Sequence, residues 1–171
     1  MLIYLIGYMG SGKTTIGPRL ANGLGFHFLD LDVYIEEKYR LSIKDFFQKY
    51  GEDKFRKIEN EALIETFRLN NYIISTGGGT ACFFNNISLI NQHGISVYLK
   101  LSPEILVHRL KNSRKPRPLV KDFEPHEFKN SIAAHLKLRE PFYQQATYIV
   151  DANRTDFGYL VSILKHRIQG V

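Results

Sequence analysis

Five short apolar runs punctuate the chain, at Leu2–Ile6, His27–Leu31, Tyr72–Ser75, Ile95–Leu101 and Thr147–Val150. Each of the first four is followed by a segment in which apolar residues recur at helical spacing, beginning with Thr14 to Leu24. After the fifth run, Phe157, Leu160, Val161, Leu164 and Ile168 predict a closing amphipathic helix over 156–169. Strand and helix patterns that alternate along a chain predict an α/β fold, here a five-stranded parallel sheet covered by helices. Leu2-Ile3-Tyr4-Leu5-Ile6 is continuously apolar, the pattern of a strand buried on both faces.

Two segments exceed what simple crossovers need. Residues 33–67, Val33 to Phe67, are too long for one helix, and Gly51 predicts at least two with a break between them. An insertion of this length is a candidate substrate-binding segment. Residues 112–124 mix Lys, Arg, Ser and Pro with little periodicity and read as a basic loop, either a lid or a solvated surface segment. No second domain fits, so residues 1–171 are expected to form one domain. Pro18 conflicts with its surroundings, since proline inside a helix removes a hydrogen bond and should kink or loosen it.

Composition narrows the function. The chain is 44% hydrophobic and 23% charged, and no apolar run approaches the ~20 residues of a membrane span. The single Cys82 cannot form an internal disulfide. Met1 leads directly into the first strand without a secretory pattern, which predicts a cytoplasmic protein. The net charge of +6 favours anionic partners. Apart from Arg114-Lys115-Pro116-Arg117 the basic residues are dispersed and no nucleic-acid signature is present, so small anions are expected rather than DNA or RNA.

The chemistry begins at Gly7-Tyr8-Met9-Gly10-Ser11-Gly12-Lys13-Thr14, a complete G-x-x-x-x-G-K-T phosphate-binding loop between a strand and a helix. Its glycines let backbone N–H groups turn around a phosphate, Lys13 reaches the outer phosphates, and the Thr14 hydroxyl can ligate Mg²⁺. Asp30 and Asp32, one residue apart at the end of the second strand, are expected on one side of an extended chain, with one facing a metal and one a substrate. Either could instead cap the following helix. Arg56 and Glu59 lie one helical turn apart, where a surface ion pair is the default reading. Gly77-Gly78-Gly79 follows the third strand and exposes backbone N–H groups at the sheet edge where ligands bind.

Together with Arg117-Pro118-Leu119 and Arg139-Glu140-Pro141-Phe142-Tyr143, these motifs resemble the shikimate kinase family in order and spacing over nearly the whole chain. The resemblance implies a three-layer α/β/α P-loop NTPase of the nucleoside monophosphate kinase-like type. It also implies Mg²⁺-dependent transfer of the ATP γ-phosphoryl group to the 3-hydroxyl of shikimate, a step towards chorismate and the aromatic amino acids. By the same resemblance Gly10, Ser11, Gly12, Lys13, Thr14 and Thr15 hold ATP, Thr14 and Asp30 serve the metal, and Asp32 contacts the ring hydroxyls as base or orienting group. Arg56, Gly77, Gly78, Gly79 and Arg139 would hold the acceptor, the arginines at its carboxylate, and Arg117 would complete the charge neutralisation from a lid. Arg109 and Arg154 are the matches for arginines near the adenine. The chain departs from the family pattern at Pro18, at Thr147 and at Asn153-Arg154-Thr155-Asp156, where a proline-containing turn is usual.

A gluconate or nucleoside monophosphate kinase would share the fold and the first loop, and differs in its acceptor site. A non-catalytic ATP-dependent switch or nucleic-acid binder would explain the charge and the loop alone. Retention of Lys13, Thr14, Asp30, Asp32 and Arg117 together favours catalysis. A monomer is expected from the size and from the lack of an apolar surface stripe in the sequence.

Overall fold

Side-chain alternation along β1 (Leu2–Ile6) divides the molecule into layers. Every residue of this strand is buried, with Leu2, Tyr4 and Ile6 entering one apolar cluster and Ile3 and Leu5 another. A computed structural model describes residues 1–112, 128–154 and 156–170. Around β1 stand β2 (His27–Asp30), β3 (Tyr72–Ser75), β4 (Ile95–Lys100) and β5 (Tyr148–Asp151), in the order β2-β3-β1-β4-β5, with every pairing parallel. On one face pack α1 (Lys13–Leu24) and α7 (Phe157–Gln169), through Leu20, Ala21, Leu160 and Leu164. On the other lie α2 (Leu31–Tyr39), α3 (Ile43–Thr66), α4 (Asn86–His93), α5 (Pro103–Lys111) and α6 (Phe128–Tyr143). The five-stranded parallel sheet and its three layers are those expected.

The strand order creates the crevice. The chain leaves β1 towards β2 on one side, whereas β3 crosses over β1 to reach β4 on the other. At such a switch point the carboxyl ends of adjacent strands open into a ligand-sized gap. Here those ends carry the phosphate loop, after β1, and the triple glycine, after β3.

Several boundaries differ from expectation, each for a local reason. β2 stops at Asp30 because its carboxylate turns to accept from the N–H groups of Asp32 and Val33, so α2 starts at Leu31. Asp32 is therefore helical, and the extended chain expected to align the two carboxylates is absent. Residues 33–67 fall in α2, the turn behind it and α3, with Gly51 at φ 78°, ψ 173° interrupting α3 where a break was expected. α1 runs unbroken through Pro18, which sits on its exposed side where water can replace the missing donor. Apart from Asn112, the basic loop of residues 112–124 lies outside the described residues. Among the described residues no helix is long and apolar enough to cross a membrane.

Gly17 lets α1 lie directly on β2, since a Cβ there would stand 2.2 Å from the Phe28 ring. Gly17→Ala should therefore destabilise the fold by roughly 1–3 kcal/mol, although alanine is the better helix former by about 1 kcal/mol. A lowered urea midpoint with unchanged slope is the expected result, and a midpoint at or above that of the parent would show that α1 can move off Phe28.

Candidate active site

The phosphate loop is held in shape before any ligand arrives. Gly7, Gly10 and Gly12 adopt φ of 135°, 81° and 103°, which side chains strongly disfavour, and Ser11 N–H donates to Tyr8 O at 3.1 Å. Gly12 is the N-cap of α1, so the positive end of that helix faces the cavity. Lys13 is buried, with Nζ donating to the carbonyls of Gly7 at 2.7 Å and Tyr8 at 3.0 Å. Met9, Gly10, Gly12, Lys13, Thr14 and Thr15 line the cavity above the loop. Ser11 does not: its hydroxyl is turned under the loop, fully buried and without a hydrogen-bond partner among the described residues.

Asp30 has two jobs. While Oδ1 caps α2, Oδ2 accepts from the Thr14 hydroxyl at 2.9 Å, placing two hard oxygens side by side at the edge of the phosphate cavity. This donor set suits Mg²⁺, which takes few protein oxygens and completes its shell with phosphate and water. Asp32, in the first turn of α2, lines both the phosphate cavity and a second pocket beside it. The two cavities share Met9, Asp32 and Gly78, which marks the point where a group could pass between them.

The second pocket is built around buried charge. Arg56 is 5% exposed and Glu59 1%, joined at 2.7 Å, and the Nε and Nη2 of Arg56 also reach Glu52 at 3.1 and 2.8 Å. The expected surface pair is thus an internal one. Burial opposes the Arg56 charge, yet Glu59 and Glu52 hold its pKa above the ordinary arginine value. Glu59 is itself oriented by the Thr80 hydroxyl at 2.6 Å. Side chains are crowded in the loop after β3, where a Cβ on Gly79 would stand 2.6 Å from the Arg56 guanidinium, and one on Gly77 2.5 Å from Glu59 and 2.9 Å from Asp32.

Arg139 reaches the pocket from α6, donating to Gly78 O at 3.1 Å, and Tyr143 one turn later donates to the same carbonyl. Arg139 makes no ion pair among the described residues. Arg56 is balanced by two carboxylates, whereas Arg139 has no carboxylate partner among the described residues. Ile43, Phe47 and Phe55 supply the apolar wall.

On the other side of the loop, Arg109 donates to Ser11 O at 3.3 Å and lines both the phosphate cavity and a further one bounded by Thr15, Ile16, Arg19, Val150 and Phe157. Arg154 is not brought there: its side chain is 86% exposed and stands 3.9 Å from Asp151. Arg117 lies outside the described residues. Sequence reading missed Met9, Ile43, Phe47 and Phe55 as pocket residues, gave Glu52 and Tyr143 no role, and read Glu59 only as a surface partner of Arg56. The helical spacing of Glu52, Arg56 and Glu59, and of Arg139 and Tyr143, was the available signal.

The arrangement has close relatives. The shikimate kinase family model matches residues 9–166. A shikimate kinase of Azobacteroides pseudotrichonymphae is 44% identical over 97% of this chain and 98% of its own length. The crystal structure of shikimate kinase from Bacteroides thetaiotaomicron superposes with a TM-score of 0.90 at 38% identity, covering 99% of this chain and 98% of that one. The Acinetobacter baumannii enzyme, solved in complex with shikimate, gives 0.86 at 35% identity over 99% and 93%. A deoxyadenosine kinase from M. mycoides, at 19% identity and a TM-score of 0.60, shares the fold alone. With the phosphate loop, the carboxylate at the junction of two cavities and the buried guanidinium all in place, and relatives matching from end to end, this chain belongs to the shikimate kinase family.

Proposed function

We propose that the protein transfers the γ-phosphoryl group of ATP to the 3-hydroxyl of shikimate. The observation that carries this reading is the shared wall of the two cavities, where Asp32 stands between an anion-binding loop and a pocket with a cationic, carboxylate-seeking arginine. Shikimate as the acceptor rests on family membership. A gluconate kinase would also want a cationic pocket, but the relatives at 38–44% identity are shikimate kinases.

In this reading Arg139, with Arg56 and the backbone of Gly77, Gly78 and Gly79, holds the acceptor carboxylate, and the apolar wall of Phe47 and Phe55 covers the ring. A bound carboxylate places the ring hydroxyls near Asp32 on the phosphate side. The hydroxyl oxygen attacks the γ-phosphorus as its proton passes to the Asp32 carboxylate. The bond from γ-phosphorus to the bridging oxygen breaks, and its electron pair leaves with ADP. Lys13 exchanges the carbonyls of Gly7 and Tyr8 for phosphate oxygens and neutralises the charge that spreads over the transferred group. Arg117 would add to this neutralisation, and Arg109 borders the nucleoside. Thr14 and Asp30 would hold Mg²⁺, which would supply neutralisation of the phosphate charge. One chain carries every group named, which supports a monomer acting on two small molecules, and no step calls for nucleic acid.

ADP release measured with Mg²⁺ and ATP against shikimate, quinate, gluconate and nucleoside monophosphates tests the reading directly. Stimulation by shikimate is expected; stimulation by another acceptor alone would overturn the substrate. Asp32→Asn should lower kcat by about 100-fold or more while ATP still binds, the scale of a lost proton acceptor. Near-normal turnover would remove Asp32 from the mechanism. Arg139→Ala should raise the KM for shikimate by about 10- to 100-fold, as expected for a charged hydrogen bond of about 1.5–3 kcal/mol. An unchanged KM would place the carboxylate elsewhere.

A further inference from the structure

One helix face touches both halves of the site. On α6, His135, Arg139 and Tyr143 follow one another at four-residue spacing, and Arg139 and Tyr143 both donate to Gly78 beyond β3. His135 reaches the other half, with Nδ1 2.9 Å from the hydroxyl of Tyr8 inside the phosphate loop. The two rings meet edge to face at 5.6 Å, and the Arg139 guanidinium lies 5.7 Å from the centre of the Tyr8 ring. The Tyr8 carbonyl in turn accepts from Lys13. The phosphate-side lysine and the acceptor-side arginine are thus connected through two residues that neither contact requires for its own chemistry.

We infer that His135 is a positioning residue: through Tyr8 it fixes the phosphate loop to the helix bearing Arg139, and so sets the register between the acceptor hydroxyl and the γ-phosphate. The inference rests on the proposed phosphoryl transfer. The chemistry of the contact fits a fixed strut. Tyr8 is buried, which keeps its phenol protonated as a donor despite the opposing field of Arg139. Burial and the neighbouring Arg139, opposed by Glu52 and aided more weakly by Arg56, hold His135 below the usual histidine range, so the ring is neutral at neutral pH and its Nδ1 can accept from the Tyr8 hydroxyl. Phosphoryl transfer is sensitive to alignment far more than to binding strength, so loosening this contact should affect turnover before affinity.

Tyr8→Phe keeps the ring and deletes the hydrogen bond, and His135→Leu removes the acceptor. Each should lower kcat about tenfold, the scale of one hydrogen bond, with little change in the KM for either substrate. The double variant should be no worse than either single one. His135→Asn, whose Oδ1 occupies the position of Nδ1, should recover most of the loss. Wild-type kcat in Tyr8→Phe, losses that multiply in the double variant, or His135→Asn no better than His135→Leu would each overturn the inference. Amide exchange at loop residues 10–13 separates this from the functional reading: should the parent fail to phosphorylate shikimate, faster exchange in Tyr8→Phe would still support the strut, and unchanged exchange would refute it.

Discussion

A guanidinium that is 5% exposed is the constraint around which the acceptor half of this site is arranged. Moving an ion that far from water costs several kcal/mol unless its partners are placed well. Glu59, itself almost fully buried, satisfies one side of Arg56, and Glu52 the other. Both carboxylates lie on the same helix as Arg56, so the geometry is largely set by α3 alone. Gly51, by breaking that helix just before Glu52, lets its first turns swing away and bring Ile43 and Phe47 round to form the pocket wall. The triple glycine follows from the same charge, because the loop after β3 passes so near Arg56 and Glu59 that side chains at 77 and 79 would occupy the same space.

Balancing Arg56 internally has a consequence for recognition. A pocket with two free guanidiniums would bind anions indiscriminately and would be unstable when empty. Here Arg56 forms part of the scaffold, while Arg139, set by carbonyl and aromatic contacts, makes no ion pair among the described residues. In the proposed reading the acceptor's carboxylate would meet a preformed site in which little has to reorganise on binding.

The sheet and the phosphate loop were legible in the sequence because each rests on local rules. Continuous apolar runs define doubly buried strands, and the glycines, Lys13 and Thr14 are fixed by phosphate geometry within eight residues. What was not legible depended on a few degrees of backbone. Asp30 and Asp32 looked equivalent two residues apart, but Asp30 caps α2 and so puts Asp32 into the helix, giving the two carboxylates different neighbours. Arg56 and Glu59 have the spacing of any surface pair, and only the packing of α3 under the β3 loop makes them internal. Arg154 carried the right charge near the right strand, yet it points into solvent.

Fold and phosphate chemistry belong to one part of this chain and acceptor choice to another. β1, its loop and α1 form a unit that any kinase of this architecture needs, and its parts answer to the phosphates alone. The acceptor pocket draws on α2, α3, the loop after β3 and α6, elements far apart in sequence that meet at the end of one strand. Transfer requires these two units to agree to a fraction of an ångström, which neither can ensure by itself. Covalent continuity links them only through the sheet, so side-chain contacts across the crevice must supply the rest. Among the described contacts that cross it are the Thr14–Asp30 hydrogen bond and those made by α6, and the hydroxyl of Tyr8 is where that helix grips the phosphate loop.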